Sequence, residues 1–398
     1  MGLDGSTYLR LSSFYFLYYA FLGALMPYWS LYLQAVGLDA TGIGIVFAVI
    51  AATRIVAPNL WSWIADRSAS HLQLIRVGAL LATLSLAALP WHGGVAWIVG
   101  VVFVHSVFWN AILAQFEVIT LASLREAVQR YGLVRLWGSV GFIVAVIGCG
   151  MLFDRIDVIQ LPWLLLALLA LLVIGSWLVR DPDAGARAQG AQGIGERLRE
   201  PALLAFLLAS FLLQLSHAPY YGFFSLYLEQ YGYTRAATGQ MWALGVLAEI
   251  SVFAFAHRLL ARHGLRRILL ASLLLAALRW LMIGYGVEHI GWLLAAQCLH
   301  AASFGSFHAA GIELLRRYFV PAQQARGQAL YAAVSFGAGG AVGAVLSGVL
   351  WDVDPRMAFL VAALAAFAGW LLVLALVRGP LVTVMGGRGY NVRGEEIA

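Results

Sequence analysis

The chain has 398 residues, of which 62% are hydrophobic and only 11% charged, with a mean hydropathy of +0.85. A soluble domain carries about a quarter charged residues on an aqueous surface that this composition cannot supply. The formal charge of +6 comes from arginines in short hydrophilic turns, with no lysine and no basic face. That excludes a nucleic-acid partner and makes the arginines membrane topology signals.

Apolar windows of about 20 residues recur along the chain. They predict an all-α integral membrane protein with helices near 9–35, 42–64, 74–91, 95–123, 131–153, 160–179, 201–229, 237–260, 267–286, 290–315, 326–350 and 356–377. The first helix is rich in aromatics (Tyr15, Tyr18, Tyr19, Phe21), and the seventh answers it with Tyr220, Tyr221, Phe223 and Phe224. Such faces suit helix packing or the stacking of a ring. Between the second and third helices, Asp66 and Arg67 form a candidate gate, in which an acidic side chain pairs with a helix end in one conformation and releases it in the other.

The fourth and fifth helices carry Asn110, Glu117, Arg135 and Phe142 around a polar turn at 125–130. Glu117 and Arg135 each lie nine residues from Glu126, roughly 13 Å along a helix. A hairpin bending there sets both charges near the middle of the membrane. Burying either alone costs on the order of 3 kcal/mol even on a lenient insertion scale. The matched pair is therefore either a staple between helices or a site.

The segment 180–200 is the only long hydrophilic stretch between spans. Its Gly, Ala, Gln and Arg content reads as a flexible linker. It divides the chain into an N-terminal six-helix bundle (1–179) and a C-terminal one (201–378), with a tail at 379–398. The halves are related: Ser30-Leu31-Tyr32-Leu33 recurs as Ser225-Leu226-Tyr227-Leu228, and the same offset of 195 pairs Gly37 with Gly232, Gly44 with Gly239 and His105 with His300. Two pseudo-symmetric bundles in parallel orientation are the arrangement of a rocking transporter. With the N-terminus inside, nineteen arginines fall on the cytoplasmic side, while only Arg155, Arg235 and Arg356 fall opposite. Both termini are thus expected in the cytoplasm, with no cleavable signal peptide.

Arg54, Glu117, Arg135, Glu249 and Arg279 are the charges predicted inside the membrane, and they sum to +1. Static ion pairs are one reading. A water-accessible cavity is the other, in which an excess arginine attracts a carboxylate and a glutamate carries a proton. Protonating either glutamate raises the local charge and strengthens anion binding, which couples the two. His105, His217, His300 and His308 are intramembrane candidates, and a lone helix histidine is most often a packing group; His300 is the best candidate for proton exchange. Cys149 and Cys298 read as small packing residues. There is no metal-ligand spacing, P-loop or nucleophile motif. No metal, cofactor, ATP-driven step or catalytic residue is expected.

Twelve spans, the repeat and Ala65-Asp66-Arg67 together resemble the major facilitator superfamily across the whole chain. Asn110, Glu117 and the run Tyr131-Gly132-Leu133-Val134-Arg135-Leu136-Trp137-Gly138-Ser139-Val140-Gly141-Phe142 look like its lactose-permease-like branch, and most like the 3-phenylpropionate transporters. The resemblance implies that Glu117 and Arg135 bind substrate, that Phe142 stacks on a ring, and that Arg279 and His300 occupy functional positions. The chain departs from the permease at Ser303, where the coupling glutamate is expected, and at Gln297, where a lysine is expected. The permease's proton relay does not carry over intact.

The resulting expectation is a monomeric, proton-coupled symporter in a bacterial cytoplasmic membrane, surrounded by lipid and importing a small organic solute. An aromatic carboxylate is favoured, with a sugar or nucleoside as the alternative and a non-transporting sensor as a remote one. Asn110, Glu117, Arg135, Phe142, Arg54 and Arg279 are the expected substrate residues. Glu249 is the preferred proton carrier with His300 accessory to it, and Asp66 and Arg67 form the gate.

Overall fold

The structure, a computed structural model, describes residues 5–68, 70–91, 93–180, 194–195 and 197–377. The first six helices are α1 (Gly5–Ala35), α2 (Ala40–Ala65), α3 (His71–Leu86), α4 (Gly94–Leu124), α5 (Tyr131–Phe153) and α6 (Val158–Leu178). The next six are α7 (Pro201–Gln230), α8 (Arg235–His263), α9 (Leu265–Gly286), α10 (290–318), α11 (Pro321–Val353) and α12 (Pro355–Leu376). Ten are long and apolar enough to cross a membrane; α3 is shorter and α10 is divided by a π segment, Ala301–Gly305. These two complete twelve among the described residues. The expected linker at 180–200 and tail from 379 fall largely outside the described residues.

Local chemistry sets the helix ends. Asp39, Ser70, Thr234 and Asp354 accept first-turn N–H groups of α2, α3, α8 and α12, and prolines sit in the first turns of α7, α11 and α12. The turns after α1 and α7 are made by Gly37 (φ 92°) and Gly232 (φ 79°), the left-handed region where a side chain is strained. The repeat seen in sequence is thus a repeat of backbone geometry. Boundaries shift by a few residues from expectation, most at the end of α3 and the start of α11. α3 stops at Leu86 rather than 91, because the chain enters a turn ahead of Pro90. α11 starts at Pro321 rather than 326, its polar first turns lying outside the apolar window. α10 and α11 are interrupted by π segments, Ala301–Gly305 and Ala333–Gly339, which have no period readable in sequence.

Within each bundle, arginines at helix starts satisfy neighbouring C-termini. Arg266 donates from Nε to Val377 O (2.8 Å) and from Nη2 to Leu374 O (2.9 Å). Arg76 donates to Ser176 O (3.4 Å) and lies over the Trp177 ring. Cations at these positions suit the negative helix end.

The bundles meet along α2 with α11, α5 with α8 and α1 with α7. Glycines make these crossings close. A Cβ on Gly348 would lie 2.5 Å from Ala40 O, and one on Gly239 would lie 2.5 Å from Val146 O and 2.7 Å from the Tyr28 hydroxyl. The crossings are finished by two related contacts. Asp154, at the end of α5, accepts from the backbone N–H of Arg235 (2.8 Å) and Ala236 (3.1 Å), the first turn of α8. Asp352, near the end of α11, accepts from Thr41 N–H (3.1 Å) and Oγ1 (2.7 Å), the first turn of α2. Each aspartate therefore caps a helix of the other bundle.

Losing a cap costs about 1 kcal/mol, so Asp154→Ala with Asp352→Ala is expected to loosen this end of the molecule. Cys149 is buried nearby on α5, and Cys298 is exposed. In a Cys298→Ser background, labelling of Cys149 by an impermeant maleimide is expected to rise by about tenfold or more in the double variant. Unchanged labelling would show that the caps do not hold this end shut.

Candidate functional site

The N-terminal wall is built from α1, α2, α4 and α5. Tyr18 stacks on Trp109 (centroids 4.3 Å apart, planes at 13°), and Phe21 packs on the same indole at 4.4 Å. His105 bonds Ala82 O through Nδ1 (2.9 Å), tying α4 to α3 as a packing histidine does. Asn110 donates to Thr53 Oγ1 (3.1 Å) and to Ser106 O (2.8 Å), so its amide fixes α4 against α2 beside Arg54. Arg54 itself is exposed.

Glu117 and Arg135 stand at matched positions on either side of the 3-10 turn Arg125–Arg130, as the depth argument requires. Each is nevertheless met by a tyrosine. The Tyr131 hydroxyl donates to Glu117 Oε1 (3.4 Å), and Arg135 Nη2 donates to the Tyr19 hydroxyl. The Arg135 guanidinium lies over the Tyr19 ring at 4.2 Å and near the Tyr15 ring at 5.4 Å. Among the described residues no direct ion pair joins Glu117 to Arg135. Phe142 is half-buried; its backbone takes the close approach of α1 at Gly23.

The C-terminal wall centres on Arg279, which is fully buried. Its guanidinium lies against the rings of Tyr220 (4.2 Å) and Trp280 (4.6 Å). Nε donates to Ala296 O (2.9 Å) and Nη1 to His300 Nδ1 (2.9 Å). A guanidinium has only donors, so Nδ1 is the acceptor and the ring proton of neutral His300 is on Nε2. That nitrogen faces Glu249 Oε2 of α8 at 3.7 Å. The Phe304 ring lies parallel to His300 at 5.4 Å, one turn along.

Gln297, at the position where the resemblance expects a lysine, accepts from the Tyr220 hydroxyl (2.9 Å). Ser303 is buried and bonds His300 O of its own helix (3.3 Å). The carboxylate beside His300 thus arrives from α8. The π segment begins directly after His300, and Gly305 within it lets Glu249 approach: a Cβ there would lie 3.2 Å from Glu249 Cγ.

The two walls meet where α5, which carries Arg135, packs against α8, which carries Glu249. Of the expected substrate residues, Arg54 is exposed and Glu117 and Arg135 are half-buried, whereas Arg279 is fully buried against Tyr220. Asp66 and Arg67 lie at the end of α2. Arg67 folds back onto its own helix, donating to Trp63 O (3.2 Å) and lying over the Trp63 ring (4.0 Å). His217 bonds Leu213 O within α7 (2.8 Å). Sequence reasoning missed Tyr19, Tyr131 and Tyr220 as partners of the charges.

If Glu117 and Arg135 are free to take a ligand, they contribute little to each other's stability. A double-mutant cycle with Glu117→Gln and Arg135→Gln, read by thermal unfolding in detergent, is expected to give a coupling below about 1 kcal/mol. A coupling of about 3 kcal/mol or more would make them a static buried pair.

The sequence matches the family described as "MFS_1 like family" over residues 8–361. It is 32% identical over 385 residues to a protein of Escherichia coli (strain K12) named "Probable 3-phenylpropionic acid transporter", with 94% of this chain and 98% of that protein aligned. It is 29% identical to the "Maltose permease" of Geobacillus stearothermophilus, over 92% of this chain and 93% of that protein. A crystal structure of a mutant of the nucleoside transporter NupG superposes with a TM-score of 0.85 at 19% identity, covering 94% of this chain and 100% of that one, a likeness of fold. The chain therefore belongs to the MFS_1-like family of the major facilitator superfamily, and it is a multi-pass membrane secondary transporter.

Proposed function

We propose that the protein is a proton-coupled symporter that imports a small aromatic carboxylate, of which 3-phenylpropionate is the type. It works as a single chain in a bacterial cytoplasmic membrane with both termini in the cytoplasm. The rocking bodies are residues 1–179 and 201–378. The observation that carries this reading is the chain of contacts Arg279–His300–Glu249, with Glu249 on α8, the helix that packs against α5 and its Arg135.

In this reading Arg135 takes the substrate carboxylate, Glu117 takes a polar group at its other edge, and Arg54 adds to the positive potential. Arg279 acts indirectly, by holding His300 in the tautomer that presents Nε2–H to Glu249. Glu249 then carries the proton. A protonated Glu249 no longer competes with the substrate anion for Arg135, so proton and anion enter together. The aromatic faces of Tyr18, Trp109 and Tyr221 suit a ring. The similarity to the protein named for 3-phenylpropionic acid supports the acid. The similarity to a maltose permease keeps a neutral sugar as the second reading.

In proteoliposomes, labelled 3-phenylpropionate is expected to accumulate only with an inward proton gradient. Glu249→Gln is expected to abolish accumulation while leaving exchange between internal and external substrate. Gradient-independent accumulation, or a Glu249→Gln protein that still concentrates substrate, would contradict the coupling. Uptake of maltose in its place would favour the second reading, and uptake of neither would remove the substrate assignment.

A further inference from the structure

We propose that Tyr19 and Gly138 form a cradle that positions the Arg135 guanidinium for an incoming carboxylate. This rests on the reading of Arg135 as the carboxylate site. Tyr19 comes from α1 and Gly138 from α5, one turn beyond Arg135. Three observations join them. The Tyr19 hydroxyl accepts from Arg135 Nη2. The Tyr19 ring lies beneath the guanidinium at 4.2 Å. A Cβ on Gly138 would lie 2.7 Å from Tyr19 Cδ2 and 2.9 Å from Arg135 Nη1, closer than real Cβ contacts allow. The missing side chain of Gly138 is therefore the space into which the arginine and the tyrosine fold together.

A free arginine side chain loses much rotamer entropy when it grips a ligand. One that is already stacked and hydrogen-bonded has lost it beforehand. The ring covers one face of the guanidinium, and the hydroxyl uses one of its five N–H donors. The other donors are left to form the planar fork that a carboxylate accepts in pairs. Gly138 is not at positive φ, so Gly138→Ala changes the space and leaves the backbone conformation available. Tyr19→Phe keeps the ring and removes only the hydroxyl.

Two measurements on the purified full-length protein test this. The first is the rate at which phenylglyoxal modifies Arg135, followed peptide by peptide by mass spectrometry; it needs no substrate. Release of the guanidinium in Tyr19→Phe or Gly138→Ala is expected to raise that rate by about fivefold. Unchanged rates in both variants would overturn the cradle. The second is binding of 3-phenylpropionate. Tyr19→Phe is expected to weaken it by about tenfold, with maximal uptake rate retained, and Arg135→Ala is expected to abolish it. Faster modification with unchanged binding in Tyr19→Phe, where Arg135→Ala does lose binding, would overturn the positioning role alone. Unchanged binding in Arg135→Ala would instead overturn the carboxylate site on which the proposal rests.

Discussion

A guanidinium buried in a protein of membrane composition must find acceptors and rings, or the fold cannot hold it. Arg279 has no exposed surface, and the C-terminal wall is arranged around that requirement. Ala296 O and His300 Nδ1 take two of its N–H groups and the rings of Tyr220 and Trp280 lie against it, while Nη2 has no hydrogen-bond partner among the described residues. Leaving such a charge unpaired would cost several kcal/mol. Meeting its needs has consequences further out: the His300 tautomer is set, Nε2–H points to α8, and the Tyr220 hydroxyl is placed on Gln297. Glu249, the proton carrier in the proposed reading, stands at the end of this chain of contacts.

The N-terminal wall follows a different plan. Glu117 and Arg135 are held by neutral tyrosine hydroxyls and ring faces rather than by each other. This arrangement suits a site better than a staple, because a ligand can engage either charge without first breaking an ion pair. The asymmetry between the walls matters for rocking-type transport. One wall buries its cation fully against aromatic rings; the other leaves its cation half-buried. The bundles themselves are joined by glycine crossings and by two aspartates that cap helices in trans, contacts that are strong enough to hold an end together and small enough to break.

Much of this was legible in the sequence. Apolar windows located the helices because a bilayer needs spans of near-constant length. The gapless offset paired Gly37 with Gly232 and Gly44 with Gly239; the first pair makes equivalent turns, and the second sits at helix crossings. Depth arithmetic placed Glu117 and Arg135 at one height, but height along a helix says nothing of azimuth, so the tyrosine partners were hidden. Ser303 and Gln297 pointed away from the permease's relay, and Glu249 was the expected carrier. Its contact with His300 depends on how α8 packs on α10, together with a π segment that one sequence does not reveal. Among the described residues Asp66 and Arg67 have no hydrogen bond or ion pair to the opposite bundle, and a gate motif read from its spacing cannot say in which conformation it engages.

Taken together, these arrangements make one central claim, that substrate anion and proton occupy the same space and balance each other's charge. The most direct measurement is the pH change when 3-phenylpropionate is added to purified protein in weakly buffered detergent solution. Net uptake approaching about one proton per substrate bound is expected, and it should disappear in Glu249→Gln. Binding without proton uptake, or uptake unchanged in that variant, would contradict the claim.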